Sequence, residues 1–163
     1  MYKPNKLVFF FKEPEKRLHL LLVQEEEYRI FLGEISNHKK LTVVHIDVDN
    51  PANLHLVVLI NQALDKIKRS EKTVGLAVRI MTKQSFLSGF NKFKANPWLE
   101  IPKLGERDHE SLPQYHNGGT LLNKAIKKLV EDCFLAGFQF AIDNPDLNIQ
   151  TRTYLRPNKV YGD

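Results

Sequence analysis

Residues 41–69 constrain the fold most, because they join a predicted buried strand to a predicted buried helix. Residues 41–49 are rich in β-branched residues and favour a strand. Asn50 and Pro51 then provide a good N-cap and a residue preset for the first helical position. Residues 52–69 carry apolar side chains around most of a helical circumference, so we expect the helix to be covered on more than one side. This pair predicts an α/β or α+β domain built around it.

Three more strands are predicted before this pair. Residues 7–11 form a short continuous apolar run, which is typical of a strand covered on both faces. Residues 17–24 and 28–35 follow it, with charged or turn-forming residues between them. We therefore expect an N-terminal antiparallel meander of four strands.

The second half of the chain predicts further helices and strands. Residues 73–80 favour a fifth strand, and Thr82 is a candidate N-cap for a second helix. A third helix is predicted over residues 120–136, with Gly137 as its C-cap. Residues 138–142 predict a last strand. These elements predict a mixed sheet of five or six strands with about three helices.

Length and composition favour one domain over residues 1–163. Within it, residues 95–119 predict a long irregular basic and polar connection, and residues 144–163 a basic tail. The single cysteine, Cys133, excludes an intramolecular disulfide and falls on the apolar stripe of a predicted helix. No run reaches the roughly 18–20 apolar residues of a membrane span, and no signal-peptide pattern is present. We expect a cytoplasmic protein with no membrane partner.

The order of predicted elements resembles the ribonuclease H fold over residues 5–142. Residues 50–68 are similar to that family's first helix, and residues 75–94 to its fourth strand and second helix. The resemblance implies a ribonuclease H-like mixed sheet and an activity that uses about four carboxylates and two magnesium ions. Residues 7–12 and 52–64 lack the acids expected there, and Lys83 stands near the position of a third. The resemblance therefore implies a pseudoenzyme that has lost its catalytic set.

Acidic residues near the predicted strand end offer an alternative metal site. His45, Asp47 and Asp49 would share one face of a strand over residues 41–49, where carboxylates could hold a hard cation such as Mg²⁺. Asp143 could complete a rearranged set. The plainer interpretation is a polar strand face, with Asp49 helping to cap the next helix. We predict no metal and no cofactor unless this alternative applies.

The clearest functional signal mixes basic and aromatic residues. Residues 83–103 contain four lysines and one glutamate, for a net charge of +3. Cations interleaved with aromatic rings are the mixture that binds phosphates and stacks bases. An opposing interpretation makes the aromatic residues core anchors with solvated lysines between them. The candidate nucleic-acid-binding residues are Lys83, Lys92, Phe93, Lys94, Trp98, Lys103, Arg152 and Arg156.

Three functions remain open on the sequence alone. The first is a non-catalytic protein that binds RNA or DNA, or a subunit of a nucleoprotein complex, with a net charge of +5 that permits such a partner. The second is a metal-dependent nuclease that uses Asp47, Asp49 and Asp143. The third is a protein–protein interaction module that binds no nucleic acid.

Overall fold

A computed structural model gives the fold of much of the chain. It describes residues 5–12, 17–23, 39–66, 74–98, 112–114 and 119–149. The predicted strand at 28–35, nearly all of the connection between 99 and 118, and the tail from residue 150 onward lie outside these ranges.

Three strands form one antiparallel sheet. β1 spans Lys6–Lys12, β2 spans Arg17–Val23 and β3 spans Lys39–His45. Their spatial order is β2-β1-β3, with Phe9 opposite Leu20 on one side and opposite Thr42 on the other. Side chains on both faces of β1 are buried, as its continuous apolar run predicts. The predicted strands at 7–11 and 17–24 are confirmed.

The first helix, α1, spans Pro51–Lys66 and begins where the sequence predicts. The turn before it is closed by a hydrogen bond from Asn50 N to Asp47 O (3.3 Å). Leu56 and Ile60, one turn apart, are buried in the core. Leu54 is exposed, so the apolar residues of α1 are covered over only part of its circumference.

Residues 74–80 are helical, so the predicted fifth strand is wrong. They begin α2, which spans Val74–Ala95. Thr82 is not an N-cap but an interior residue, and its hydroxyl donates to Arg79 O (2.9 Å). The apolar run at 74–80 is short and buried, and periodicity alone does not separate a buried strand from a buried helix. Val78 and Met81 sit three residues apart in the core, which is helical spacing.

The predicted end of the third helix is also wrong. α3 spans Gly119–Asp143, so residues 138–142 continue the helix instead of forming a strand. Gly137 lies inside α3, where it is buried, and does not cap it. Glycine is common after helix ends because it tolerates left-handed backbone conformations. Here glycine is needed because a side chain at this position would not fit.

The missing side chains of two glycines let α2 and α3 cross at very short range. A Cβ atom built on Gly137 would lie 1.8 Å from Phe86 O, and one built on Gly89 would lie 1.9 Å from Phe134 O. Ser85 lies on the same side of α2, where its buried hydroxyl donates to Val130 O of α3 (2.6 Å). The two helices therefore meet backbone to backbone, as small residues allow.

A cluster of phenylalanines joins the sheet to this helix pair. The rings of Phe9 and Phe86 stack with centroids 4.0 Å apart, and Phe86 also contacts Phe140 at 5.4 Å. Cys133 is fully buried in the same core, and burial raises the pKa of its thiol. The prediction that Cys133 packs in the core is confirmed.

The described elements form an α+β fold with three antiparallel strands and three helices. The α+β class and the antiparallel pairing of the N-terminal strands are confirmed. The predicted four-strand meander is wrong, because β3 pairs with β1, the first strand, whereas a meander places each strand next to the one before it. A mixed sheet is not present among the described residues, because residues 74–80 of its predicted parallel strand are helical. Across the same residues, no helix is long and apolar enough to span a membrane.

Candidate nucleic-acid interface

The basic and aromatic segment lies at the C-terminal end of α2. The helix ends at Ala95, just before Asn96 and Pro97, as the sequence predicts. Asn96 N donates to Lys92 O (3.2 Å) and to Phe93 O (3.1 Å), which closes the last turn. Residues 97–98 then form a turn.

Trp98 is the most exposed large apolar side chain among the described residues. Its relative accessibility is 76%, and its neighbour Pro97 is exposed as well. A tryptophan usually buries most of its large surface. The interpretation of Trp98 as a core anchor is therefore wrong, and its indole is accessible to a ligand.

Phe93 behaves in the opposite way. It is partly buried against the core, and its ring meets Phe138 of α3 edge to face at 5.3 Å. This contact makes Phe93 an anchor between α2 and α3, which leaves little of its ring for a base. Of the two aromatic residues that the sequence offers here, only Trp98 presents an open face.

Lys92 and Lys94 are held near the helix surface by contacts with α3 and with α2 itself. The Lys94 ammonium donates to Pro145 O, just after α3, and lies 5.4 Å from the centre of the Phe90 ring. The Lys92 ammonium lies 5.7 Å from the centre of the Phe134 ring. Both lysines also complement the negative end of the α2 dipole, which is a purely structural role. Both lysines nevertheless belong to the last turn of α2, a few residues before Trp98 in the sequence.

Lys83 lies far from this end of α2. It lies on α2 eleven residues before Lys94, which corresponds to roughly 16 Å along the helix axis. Its neighbours are Arg79 and Arg17, and burial together with these two positive charges lowers the pKa of Lys83 to about 8. The remaining candidates, Lys103, Arg152 and Arg156, lie outside the described residues.

The acidic residues near β3 take part in a turn, not in a strand face. β3 ends at His45, so Asp47 and Asp49 lie beyond it and both are exposed. One carboxylate oxygen of Asp47 accepts a hydrogen bond from Asp49 N (3.1 Å), and the Asn53 side-chain amide donates to Asp47 O (2.8 Å). These bonds connect β3 to α1. The predicted shared strand face of His45, Asp47 and Asp49 is therefore wrong.

Asp143 is the last residue of α3, and it does not complete a metal site with Asp47 and Asp49. Its carboxylate accepts a hydrogen bond from the side-chain amide of Gln139, one turn earlier (3.0 Å). In the part of the chain that the structure describes, no three His, Cys, Asp or Glu side chains are grouped closely enough to hold a metal ion. The rearranged carboxylate set is not assembled there.

Two basic residues near Lys83, Arg17 and Arg79, are not among the candidate site residues that the sequence predicts. The sequence predicts a strand over residues 73–80, and in a strand the spacing of Arg79 to Lys83 would not indicate a shared site. In the helix the two residues are four apart and lie on one face. Spacing of basic residues at i and i+4 was the available signal, but it depends on the correct secondary structure.

Comparisons with known proteins give no family for this chain. No family model, no curated protein and no solved structure matches it.

Proposed function

We propose that this protein binds nucleic acid without catalysing its cleavage, through the surface formed by Lys92, Lys94 and Trp98. We call these three residues the α2 terminal surface. The exposure of Trp98 carries the proposal, because an indole left in water loses the stabilisation that burial would give it. Two ammonium groups on the neighbouring helix turn add the positive charge that a phosphate backbone requires.

The geometry favours a single-stranded partner. Only an unstacked base can lie flat against an exposed ring, and such stacking is worth roughly 1–3 kcal/mol per base. In a duplex the base faces are covered by their neighbours. RNA and DNA both present the required base face and phosphate, so either type fits this surface.

A ribonuclease H-like topology stays a hypothesis about the evolutionary origin of this fold. Antiparallel strands followed by a buried helix favour it, whereas the helix at residues 74–80 departs from its element order. The binding proposal does not depend on this relationship, because it rests on the exposure of Trp98 and on the charges of Lys92 and Lys94. We also propose a cytoplasmic location for the protein.

An interaction module is the second candidate function, and the same exposed tryptophan favours it. Tryptophan is among the residues that most often dominate protein–protein interfaces. The affinity for a protein partner and the affinity for a nucleic acid depend differently on salt concentration. Counterion release makes nucleic-acid binding fall steeply and linearly on a logarithmic salt scale.

A salt titration of single-stranded oligonucleotide binding tests the proposal. Lys92→Ala and Lys94→Ala should each reduce the salt slope by about one unit, because each removes about one phosphate contact. Trp98→Ala should weaken binding by roughly 1–3 kcal/mol. Lys124→Ala and Lys127→Ala are matched controls, since both lysines are exposed and lie on α3, outside the C-terminal turn of α2. Equal salt slopes for the wild type and the Lys92→Ala, Lys94→Ala double variant would contradict the proposal.

A further inference from the structure

A second group of cations lies where the N-terminal half of α2 meets β2. The Arg79 side chain reaches from α2 to β2, where its guanidinium donates a hydrogen bond to Leu20 O (2.9 Å). The bond fixes the guanidinium against the strand while using one of its five N–H donors. Arg79 is partly buried, and burial lowers its pKa. A guanidinium held in this way is positioned before any ligand arrives.

Lys83 follows Arg79 by one helical turn on the same face of α2. Its side chain is half-buried, and burial is the main cause that lowers its pKa to about 8. The positive charges of Arg79 and Arg17 lower this pKa further. Lys83 therefore lies within electrostatic reach of both arginines, in surroundings where water screens their charges less than at an open surface.

Arg17 is the first residue of β2, three residues before Leu20, whose carbonyl accepts the hydrogen bond from Arg79. It is exposed, and its register partner on β1 is another basic residue, Lys12. His19, two residues further along β2, stacks on Phe10 at 5.1 Å. The charged side chains that β2 and α2 bring to the junction are thus Arg17, Arg79 and Lys83.

We propose that Arg17, Arg79 and Lys83 form a binding site for a phosphate group. Two elements bring three cations together, and a guanidinium fork matches the geometry of phosphate oxygens. The ammonium of Lys83, one helical turn further on, supplies a compact second charge. A bound dianion would offset the positive charges of Arg79 and Arg17 that act on Lys83. Two sources carry this chemistry, a free phosphate and the backbone of a nucleic acid, and the experiment separates them.

The direct test uses inorganic phosphate and the thermal stability of the full chain, at pH 7 and constant ionic strength. Phosphate should raise the melting temperature in a saturable manner, because a ligand that binds only the folded state stabilises it. Lys83→Met keeps the aliphatic packing and should weaken the apparent affinity by about tenfold or more. Lys124→Met, at an exposed position of α3, should behave as the wild type. An equal response to phosphate in the wild type and Lys83→Met overturns the proposal.

The pH dependence gives a second readout that a merely structural role would not produce. Phosphate favours the charged form of Lys83, so binding is coupled to protonation of the amine. With the pKa of the free site at about 8, the affinity should fall by up to about tenfold per pH unit above pH 8. The phosphate dianion itself keeps its charge over that range. Lys83→Arg should bind with little change between pH 8 and pH 10, because a guanidinium stays protonated. A parallel fall in Lys83→Arg would contradict the assignment of this amine.

Single-stranded oligonucleotide distinguishes the two sources of phosphate and separates this inference from the proposed function. If a nucleic-acid backbone is the source, Lys83→Met weakens oligonucleotide binding independently of Trp98→Ala. If free phosphate is the ligand, Lys83→Met changes phosphate binding alone. Oligonucleotide binding through the α2 terminal surface with no phosphate binding at all would overturn this inference and leave the proposed function intact.

Discussion

Gly137→Ala and Gly89→Ala are each expected to destabilise the protein by about 3 kcal/mol or more. The new Cβ atom would lie 1.8 Å from Phe86 O in the first variant and 1.9 Å from Phe134 O in the second. Both obstacles are backbone atoms of the opposite helix, so no side-chain rotation removes the overlap. The helices must separate, which places the cost at or above the upper end of the usual range for overpacking. Denaturant unfolding measures the change directly.

Ser88→Ala is the matched control for this prediction. Ser88 lies beside Gly89 on α2, is only half-buried, and donates to Gln84 O of its own helix (3.0 Å). Its replacement should change the free energy of unfolding by less than about 1 kcal/mol. Alanine is favoured over glycine in an open helix by about 1 kcal/mol. A stabilised Gly137→Ala variant would therefore show that the helices do not meet at this crossing.

Phe86→Ala is expected to cost roughly 3–5 kcal/mol, the range for truncating a large core aromatic residue. Phe86 is fully buried and lies between the sheet and the helix pair. It stacks on Phe9 at 4.0 Å and contacts Phe140 at 5.4 Å, so truncation removes a link from α2 to both layers. The cavity would be lined by β1 and α3, whose main chains are fixed by other contacts. Thermal and denaturant unfolding should both report the loss.

Trp98→Ala provides the contrasting case for the same measurement. Both substitutions remove a large aromatic side chain from the same region of sequence, but Trp98 is 76% exposed. Its removal should leave the melting temperature nearly unchanged. A large loss of stability in Trp98→Ala, comparable with that of Phe86→Ala, would contradict the placement of the indole at the surface.

The sequence correctly predicted the elements that combine a clear apolar pattern with clear signals at their ends. β1 combines an apolar run with turn residues at its end, and α1 begins with an N-cap and Pro51. It failed at residues 74–80, because a short apolar run satisfies a buried strand and a buried helix equally. Packing against neighbouring helices determines whether such a run forms a strand or a helix, and the local sequence does not contain that packing.

Gly137 shows a second limit of local reasoning. Glycine after a helical stretch indicates a C-cap in many proteins. Here α3 continues to Asp143, and the glycine is needed where the backbone of α2 passes. Only the position of the other helix distinguishes the two uses, and sequence spacing within α3 does not contain it.

The candidate site was predictable in its composition but not in its geometry. The sequence grouped Lys83 with the residues near Trp98, whereas the helix places Lys83 roughly 16 Å from Lys94 along its axis. The sequence also offered no reason to expect that Phe93 and Trp98 differ in burial. The structure separates them, because Phe93 packs on Phe138 and Trp98 is exposed.

The emission of Trp98 tests the central claim most directly, because it is the only tryptophan in the chain. Addition of a single-stranded oligonucleotide should quench its fluorescence in a saturable manner, since a stacked base changes the surroundings of the indole. The Lys92→Ala, Lys94→Ala double variant should need a higher oligonucleotide concentration for the same quenching, with a smaller dependence on salt. Emission that stays unchanged at saturating oligonucleotide would contradict binding at the α2 terminal surface.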